Sequence, residues 1–337
     1  MLHVIICQLG FDLYKSCERL MDQVVIGVDL GGTILRAGVF DAQGTMVVVR
    51  ETPIEAARGP ESGLRKMQGL IEQVWAESGA KTLAGIGIGS TGPVDPIRGV
   101  INNPFTLPTW ENVPVVEWME KAFSIPVTLE NDADVAALGE YWQGAGQTIR
   151  RLYAVTVGTG VGTALILDGE IYRGVDGSHP EGGHMVLDPG GPLCYCKMRG
   201  CWESLCAGPA IEQRAREADL TGSRLLEMVA GERDKLEARM VFEAARMGDK
   251  AALAILDTFT QYFIQGILNV CILFVPEVIV LSGGVMRSAD LFLPRLEDAL
   301  QAYTEMVPAH RVHILPAKLG YYAGLYGAAY TIWSKVL

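Results

Sequence analysis

The sequence predicts an α/β fold in which two similar α/β domains flank a cleft. Three observations carry this expectation. A strand, a glycine-rich turn and a second strand occur twice, about half a chain apart, which is an internal repeat at the level of architecture. The 337 residues, 49% of them hydrophobic, suffice for a large core and, by length, for two domains. Around the two turns, short apolar runs alternate with stretches of helical period. The expected division is an extension over 1–21, a small N-terminal domain of 22–130 plus 318–337, and a large domain of 131–317 that carries a metal loop.

In chain order, residues 1–20 have an apolar start followed by Lys15 and Arg19, the reverse of a signal peptide, and no small-residue cleavage site. They read as an upstream extension, with Met21 as an alternative start, and are too short for a helix-turn-helix domain. Val24-Val25-Ile26-Gly27-Val28 then reads as a strand, Asp29-Leu30-Gly31-Gly32-Thr33 as a turn, and 36–40 as a second strand. The glycines let the backbone turn tightly and leave its N–H groups and the Thr33 hydroxyl free to meet a phosphate. Taken alone, an ordinary hairpin turn explains this segment equally well. The recurrence at 152–157 and Gly158-Thr159-Gly160-x-Gly162 adds the missing weight, with one loop from each domain gripping the same polyphosphate. The chain has no G-x4-G-K-[ST] motif, and neither loop opens onto a helix as a dinucleotide-binding turn does.

Between the loops, Leu64, Met67, Leu70, Ile71 and Val74 give 59–79 a helical period, and 84–90 reads as a buried strand. Asn103, held extended by Pro104, either meets a ligand hydroxyl or forms a turn. The strand 125–129 runs into Glu130-Asn131-Asp132, where a helix begins. Here Asp132 is either a helix cap or a general base, accepting a hydroxyl proton as the oxygen attacks a γ-phosphoryl while Asn131 fixes the substrate's hydroxyls.

The metal loop is His184-x9-Cys194-x-Cys196-x4-Cys201, one imidazole and three thiols within eighteen positions. That donor set is what a closed tetrahedral zinc site needs, and four protein ligands leave no open position for chemistry. A disulfide-bonded or reactive cluster is the competing reading. Structural zinc would hold its neighbours Glu181 and Glu203 in place. Beyond the loop, helices are expected over 209–219, 225–247, 251–274 and 291–303, strands at 278–281 and 313–317, and a final helix over 320–337 that returns to the first domain.

The net charge of −11, from 28 Lys and Arg against 39 Asp and Glu, argues against a nucleic-acid partner held through phosphates. Seven cysteines, with Cys7, Cys17 and Cys271 scattered, fit a reduced, cytoplasmic protein with a metal site. The charge-free run 258–276 has the length of a membrane span, but Gln261, Gln265, Gly266 and Asn269 interrupt it, so a buried core helix is expected and no membrane partner.

The chain resembles the ROK family of sugar kinases, of the actin–hexokinase–Hsp70 superfamily with its ribonuclease-H-like domains. The resemblance rests on Asp29-x-Gly31-Gly32-Thr33, Glu130-Asn131-Asp132-Ala133 and Gly158-Thr159-Gly160-x-Gly162. It continues through Glu181-x-Gly183-His184, Cys194-x-Cys196-x4-Cys201-x-Glu203 and Pro276-Glu277-x-Ile279-Val280-Leu281-Ser282-Gly283-Gly284, to Gly320-x3-Gly324-x2-Gly327. It implies ATP-dependent phosphorylation of a hexose at its 6-hydroxyl, as in a glucokinase, with Asp132 as base and Asn103, Asn131, Glu181, His184 and Glu203 bonding the sugar. Gly31, Gly32, Thr33, Gly158, Thr159 and Gly160 would cradle the phosphates, Gly283 and Gly284 would lie against the adenosine, and Asp29 would help to hold Mg2+. His184 would turn one ring nitrogen to zinc and the other to the sugar side, and the family makes a homodimer the expectation. Kinases for N-acetylmannosamine, fructose, mannose or allose share nearly the same set. A ROK transcriptional regulator and a non-catalytic sugar-binding protein are the rivals from other classes. Three positions depart from the family pattern: Lys197 for glycine, Asp134 for asparagine, and Ser178-His179-Pro180 for small apolar residues before Glu181.

Overall fold

Each half of the repeat folds around its own five-stranded sheet. The computed structural model describes residues 23–303 and 305–336, so the expected extension, with Cys7 and Cys17, lies outside the described residues. The chain divides into two units: the first runs to Gln147 and adds Arg173–His179 and the segment from Leu319, and the second comprises Thr148–Tyr172 and Pro180–Lys318.

Unit 1 begins with β1 (Gln23–Leu30), β2 (Ile34–Phe40) and β3 (Met46–Pro53). Then follow α1 (Pro60–Ser78), β4 (Thr82–Ser90), the two-residue strands β5 (Val94–Asp95) and β6 (Val100–Ile101), α2 (Val115–Phe123), β7 (Val127–Asn131) and α3 (Asp132–Trp142). The sheet order is β3-β2-β1-β4-β7, with β1 antiparallel to β2 and β4 parallel to both β1 and β7. Central β1 is apolar on both faces because both are covered, as a doubly packed strand requires. Met67, Ile71 and Val74 of α1 pack against Ile26 and Val28 on one face, while Leu325, Ala329 and Ile332 of the C-terminal helix Ala323–Val336 pack against Val25 and Phe40 on the other. That helix approaches the backbone itself: a Cβ at Gly87 would lie 1.7 Å from the Ala328 carbonyl oxygen, and one at Gly327 would lie 1.6 Å from that of Val135. The second contact seats α3 under the C-terminal helix, where Trp142 meets Tyr326, Tyr330 and Trp333. For that reason α3 belongs to unit 1, whereas the sequence placed the division at 130/131.

Unit 2 contains β8 (Arg151–Val157), β9 (Val161–Leu167) and β10 (Glu170–Ile171), then the metal loop and the short α4 (Trp202–Cys206). After these come α5 (Gly208–Glu217), α6 (Arg224–Met228), α7 (Ala238–Arg246), α8 (Lys250–Phe274), β11 (Val278–Ser282), α9 (Leu293–Ala302) and β12 (His313–Pro316). Its order, β10-β9-β8-β11-β12, repeats that of unit 1 strand for strand and sense for sense. The repeat legible at the two glycine turns is therefore a repeat of whole sheets. Helix α8 is long and apolar enough to cross a membrane by composition, but Phe259, Phe263, Ile267 and Val270 are buried in the core of unit 2.

Two expectations need correction. The helix expected over 225–247 is broken into α6, a 3-10 turn Arg233–Lys235 and α7, because Ala230 and Gly231 adopt left-handed φ values of 50° and 87°. Strand β3 and helix α2 were not anticipated. Val47, Arg50 and Glu51 of β3 are exposed on an edge strand, and α2 has only nine residues, with Val115 and Met119 buried.

Candidate active site and metal centre

In unit 1 the candidate residues collect at the carboxyl ends of parallel strands, the place where α/β sheets bind ligands. Leu30 pairs with Ser90, and Ser90 with Asn131, so the turn 31–33, the Thr91-Gly92 turn and the Asn131-Asp132 junction share one edge. The Gly31 N–H bonds the Ile34 carbonyl at 3.0 Å, and a Cβ at Gly32 would lie 3.0 Å from the Thr106 carbonyl oxygen. Asn131 caps α3, its Oδ1 accepting the Ala133 N–H at 2.8 Å, and a Cβ at Gly92 would lie 2.6 Å from its Nδ2. Asp132 is exposed at the first position of α3, and its Oδ1 also receives the Ala133 N–H at 2.8 Å. Asn131 thus takes the cap position, and the exposed Asp132 shares the Ala133 N–H with it.

Asn103 is fully buried and forms a turn. Its Nδ2 donates to the Thr91 carbonyl at 3.1 Å and the Thr106 hydroxyl at 2.6 Å, and its Oδ1 accepts the Thr106 N–H at 3.2 Å. Asp29, at the end of β1, is ion-paired with Arg36 across β2 at 2.5 Å, and burial raises its pKa despite that partner. Arg36 in turn lies 3.7 Å over the Tyr321 ring.

The corresponding edge of unit 2 holds the second loop. Thr156 pairs with Ser282, so Gly158-Thr159-Gly160 and Gly283-Gly284 leave adjacent strands together, and a Cβ at Gly158 would lie 4.0 Å from the Gly284 nitrogen. The N–H of Gly208, at the start of α5, donates to the Gly158 carbonyl at 2.7 Å. Gly283 has φ 96°, and a Cβ there would lie 2.3 Å from the Val157 carbonyl oxygen, so any side chain would be strained and crowded. Two glycine turns and a helix start around one point present the backbone geometry that suits a phosphate.

The metal loop folds as a tight hairpin. Leu187 N–H bonds the Gly200 carbonyl, Cys194 N–H that of Met198, and Trp202 N–H that of Met185, each at 2.8 Å. A Cβ at Gly200, φ 66°, would lie 1.5 Å from the Asp188 carbonyl oxygen; Lys197, a departure from the family pattern, does take up a left-handed φ of 74°. The ligand atoms of His184, Cys194, Cys196 and Cys201 all lie within 4.8 Å of one another. Cys196 Sγ is 3.5 Å from Cys201 Sγ, and Cys194 Sγ is 3.5 Å from His184 Nδ1. A zinc tetrahedron with ~2.3 Å metal–sulfur bonds has edges of about 3.8 Å, so the donor set and its spacing fit this ion. The competing disulfide does not form: all three thiols are free. In the free state burial pushes Cys201 up to about 12 and raises Cys194, while a backbone N–H lowers Cys196.

Around this centre stand the other sugar candidates of unit 2. Glu203, in the first turn of α4, accepts the Val161 N–H at 2.9 Å, directly after the glycine loop. His184 turns Nδ1 to the thiols and Nε2 to the Tyr195 hydroxyl, 3.1 Å away. Tyr195 as a whole is 80% exposed, but the desolvation of its hydroxyl and the charges of Glu203 and Glu181 push its pKa up to about 12. Tyr195 went unnoticed in the sequence, since a tyrosine between two cysteines carries no pattern of its own.

The ROK family model matches residues 25–335. The chain belongs to the ROK family. It is 33% identical to the glucokinase of Thermotoga maritima over 93% of the chain and 98% of that protein. The crystal structure of the ROK hexokinase from Thermus thermophilus superposes with a TM-score of 0.79 at 33% identity, covering 93% and 99% of the two chains. A ROK family glucokinase from Streptomyces griseus in complex with glucose and AMPPNP superposes with a TM-score of 0.69 at 30% identity, covering 91% and 98%. The fold is thus of the actin/hexokinase type. ROK proteins also include regulators: the xylose repressor of Bacillus subtilis is 26% identical over 88% of this chain and 73% of its own length.

Proposed function

We propose that this ROK protein is a cytoplasmic sugar kinase that transfers the γ-phosphoryl group of ATP to the 6-hydroxyl of a hexose, glucose by default. The observation that carries the reading is Asp132, an exposed carboxylate at the carboxyl edge of the unit 1 sheet, next to Asn131 and beside a glycine turn of phosphate-binding form. The relatives supply the reaction class: a glucokinase at 33% identity, and a solved glucokinase bound to glucose and an ATP analogue.

Asp132 accepts the hydroxyl proton as the oxygen attacks in line. Asn103, Asn131, Glu181, His184 and Glu203 bond the remaining hydroxyls; for Asn103 this requires its bonds to Thr91 and Thr106 to exchange. Gly31, Gly32, Thr33, Gly158, Thr159 and Gly160 hold the phosphates, and Gly283 and Gly284 face the adenosine. Asp29 would hold Mg2+, whose charge neutralises the phosphate oxygens, and a cation there would compete with Arg36. Zinc at His184, Cys194, Cys196 and Cys201 would fix the His184 tautomer and the hairpin beside Glu203, with no part in the reaction. The free thiols grouped at metal distance suit a reducing compartment. Like its family, the protein is proposed to act as a homodimer.

ADP release measured with glucose, N-acetylmannosamine, fructose, mannose and allose tests the reading. ATP-dependent turnover of one hexose supports it; hexose binding without turnover by the folded, metal-loaded protein overturns it in favour of a sugar-responsive regulator, the class its xylose-repressor relatives represent.

A further inference from the structure

Two of the three departures from the family pattern, Asp134 and His179, are partners in the structure. His179 Nδ1 lies 2.9 Å from Asp134 Oδ1, and Asp134 is fully buried in the first turn of α3. Its other oxygen has no hydrogen bond, and its nearest cation is Arg173 Nη1 at 3.8 Å. Arg173 binds the Glu130 carboxylate through Nη2 and donates from Nη1 to the Gly177 carbonyl at 3.3 Å. Arg173 and His179 are the two ends of one strap, the excursion Arg173–His179 that unit 1 takes from the middle of the chain. The strap is closed on itself, with Gly174 N–H on the Ser178 carbonyl at 2.8 Å and Ser178 N–H on that of Val175 at 3.0 Å.

The sequence positions of the anchors are what matter. Glu130 is two residues before Asp132, on β7, and Asp134 two residues after it, on α3. The strap is pinned to both sides of the candidate base, and the anchors are largely withdrawn from water, with Glu130 and Asp134 side chains 15% and 0% exposed. Asp132 itself is exposed, and its Oδ1 accepts the Ala133 N–H. It sits in the first turn of a helix, where the backbone N–H groups have no helical partner and depend on caps such as Asn131. An ion-paired strap across this junction resists fraying of that turn. A chain holding asparagine at 134 would have a neutral acceptor there and no charge to pair with Arg173.

We propose that Asp134, His179, Arg173 and Glu130 are positioning residues, forming a clamp that holds Asp132 in the orientation from which it takes the sugar proton. The proposal rests on the kinase reading above.

The test is a double-mutant cycle on the full-length protein with Asp134→Asn, His179→Gln and both together, measured at 25 °C with the hexose that the wild type turns over. The expected result is a fall in kcat of roughly tenfold or more per folded molecule, counted by near-ultraviolet circular dichroism, as small displacements of a reacting group bring about. KM for ATP should change less than about twofold, and the double variant should be no worse than the poorer single one. Hydrogen exchange of the amides at 132–135 should quicken in the same variants, which a uniform loss of folded protein would not produce. Should Asp134→Asn fail to fold, Glu130→Gln loosens the other anchor and takes its place. Wild-type turnover with unchanged kcat and unchanged exchange in the variants overturns the clamp and leaves the kinase reading standing. No turnover by the wild type overturns both.

Discussion

Removing the metal is the perturbation that bears on most of the site at once. His184, Cys194, Cys196 and Cys201 hold their ligand atoms within 4.8 Å of one another, and the hairpin between them is already laced by the backbone bonds of Leu187, Cys194, Gly200 and Trp202. An unfolded zinc-finger peptide realises its whole folding free energy on binding, about 10–16 kcal/mol. Here the hairpin belongs to a unit with its own core, so the ion should act as a tightly bound ligand of the native state rather than as its nucleus. At a free metal concentration ~1,000 times Kd, linkage gives about 4 kcal/mol. For a unit of this size each kcal/mol moves Tm by about 2–4 °C, so chelation should lower the melting of unit 2 by roughly 8–16 °C. The assay is elemental analysis of the purified protein together with thermal unfolding, with and without a zinc chelator, and after adding back zinc or magnesium. One zinc per chain, a fall on chelation and recovery with zinc alone are expected. Cys196→Ser, which leaves three ligands, should abolish the chelator response and raise KM for the hexose more than KM for ATP, because His184 and Glu203 adjoin the loop. Metal-free protein whose melting ignores the chelator would refute the assignment.

Three further outcomes follow from single residues. Asp132→Asn should lower kcat by about 10²–10⁴-fold while equilibrium binding of the hexose persists, checked by isothermal titration; near-normal kcat would remove Asp132 from the role of base. Burial, outweighing the Arg173 partner, holds Glu130 at about 6 against an ordinary 4.5. Its folded form thus prefers the proton, and its stabilising contribution is complete below 4.5 and lost as pH rises through about 6, a difference of about 2 kcal/mol. Between pH 7 and 4.5 the wild type should therefore gain about that much stability relative to Glu130→Gln in urea unfolding; a flat or opposite trend rejects the assignment. Tyr195→Phe should lower KM for the hexose, since its hydroxyl occupies His184 Nε2 and adjoins Glu181 and Glu203; a rise in KM would instead make that hydroxyl a sugar ligand.

What was legible in the sequence was whatever a local pattern encodes. Glycine turns between apolar strands announced the two strand-turn-strand units, and the register places each turn at the same point of its sheet because the two sheets repeat one strand order. Ligand spacing announced the clustering of the four donors, since a loop of eighteen residues leaves them little choice of neighbours. Strand β3 escaped because an edge strand with exposed Val47, Arg50 and Glu51 lacks the apolar signature of its buried neighbours. The break at Ala230-Gly231 escaped because apolar residues keep a helical period on both sides of it. At Asp132 the two readings stay side by side: Asn131 takes the cap position, and the exposed Asp132 shares the Ala133 N–H with it. The least legible feature was the strap. Asp134 and His179 stand forty-five positions apart and each departs from the family pattern by itself, yet a carboxylate buried at the start of a helix needs a partner, and the nearest proton donor in space is that histidine. Two departures that look independent along the chain are one device in the fold, which is why neither residue's role was readable until both had been placed.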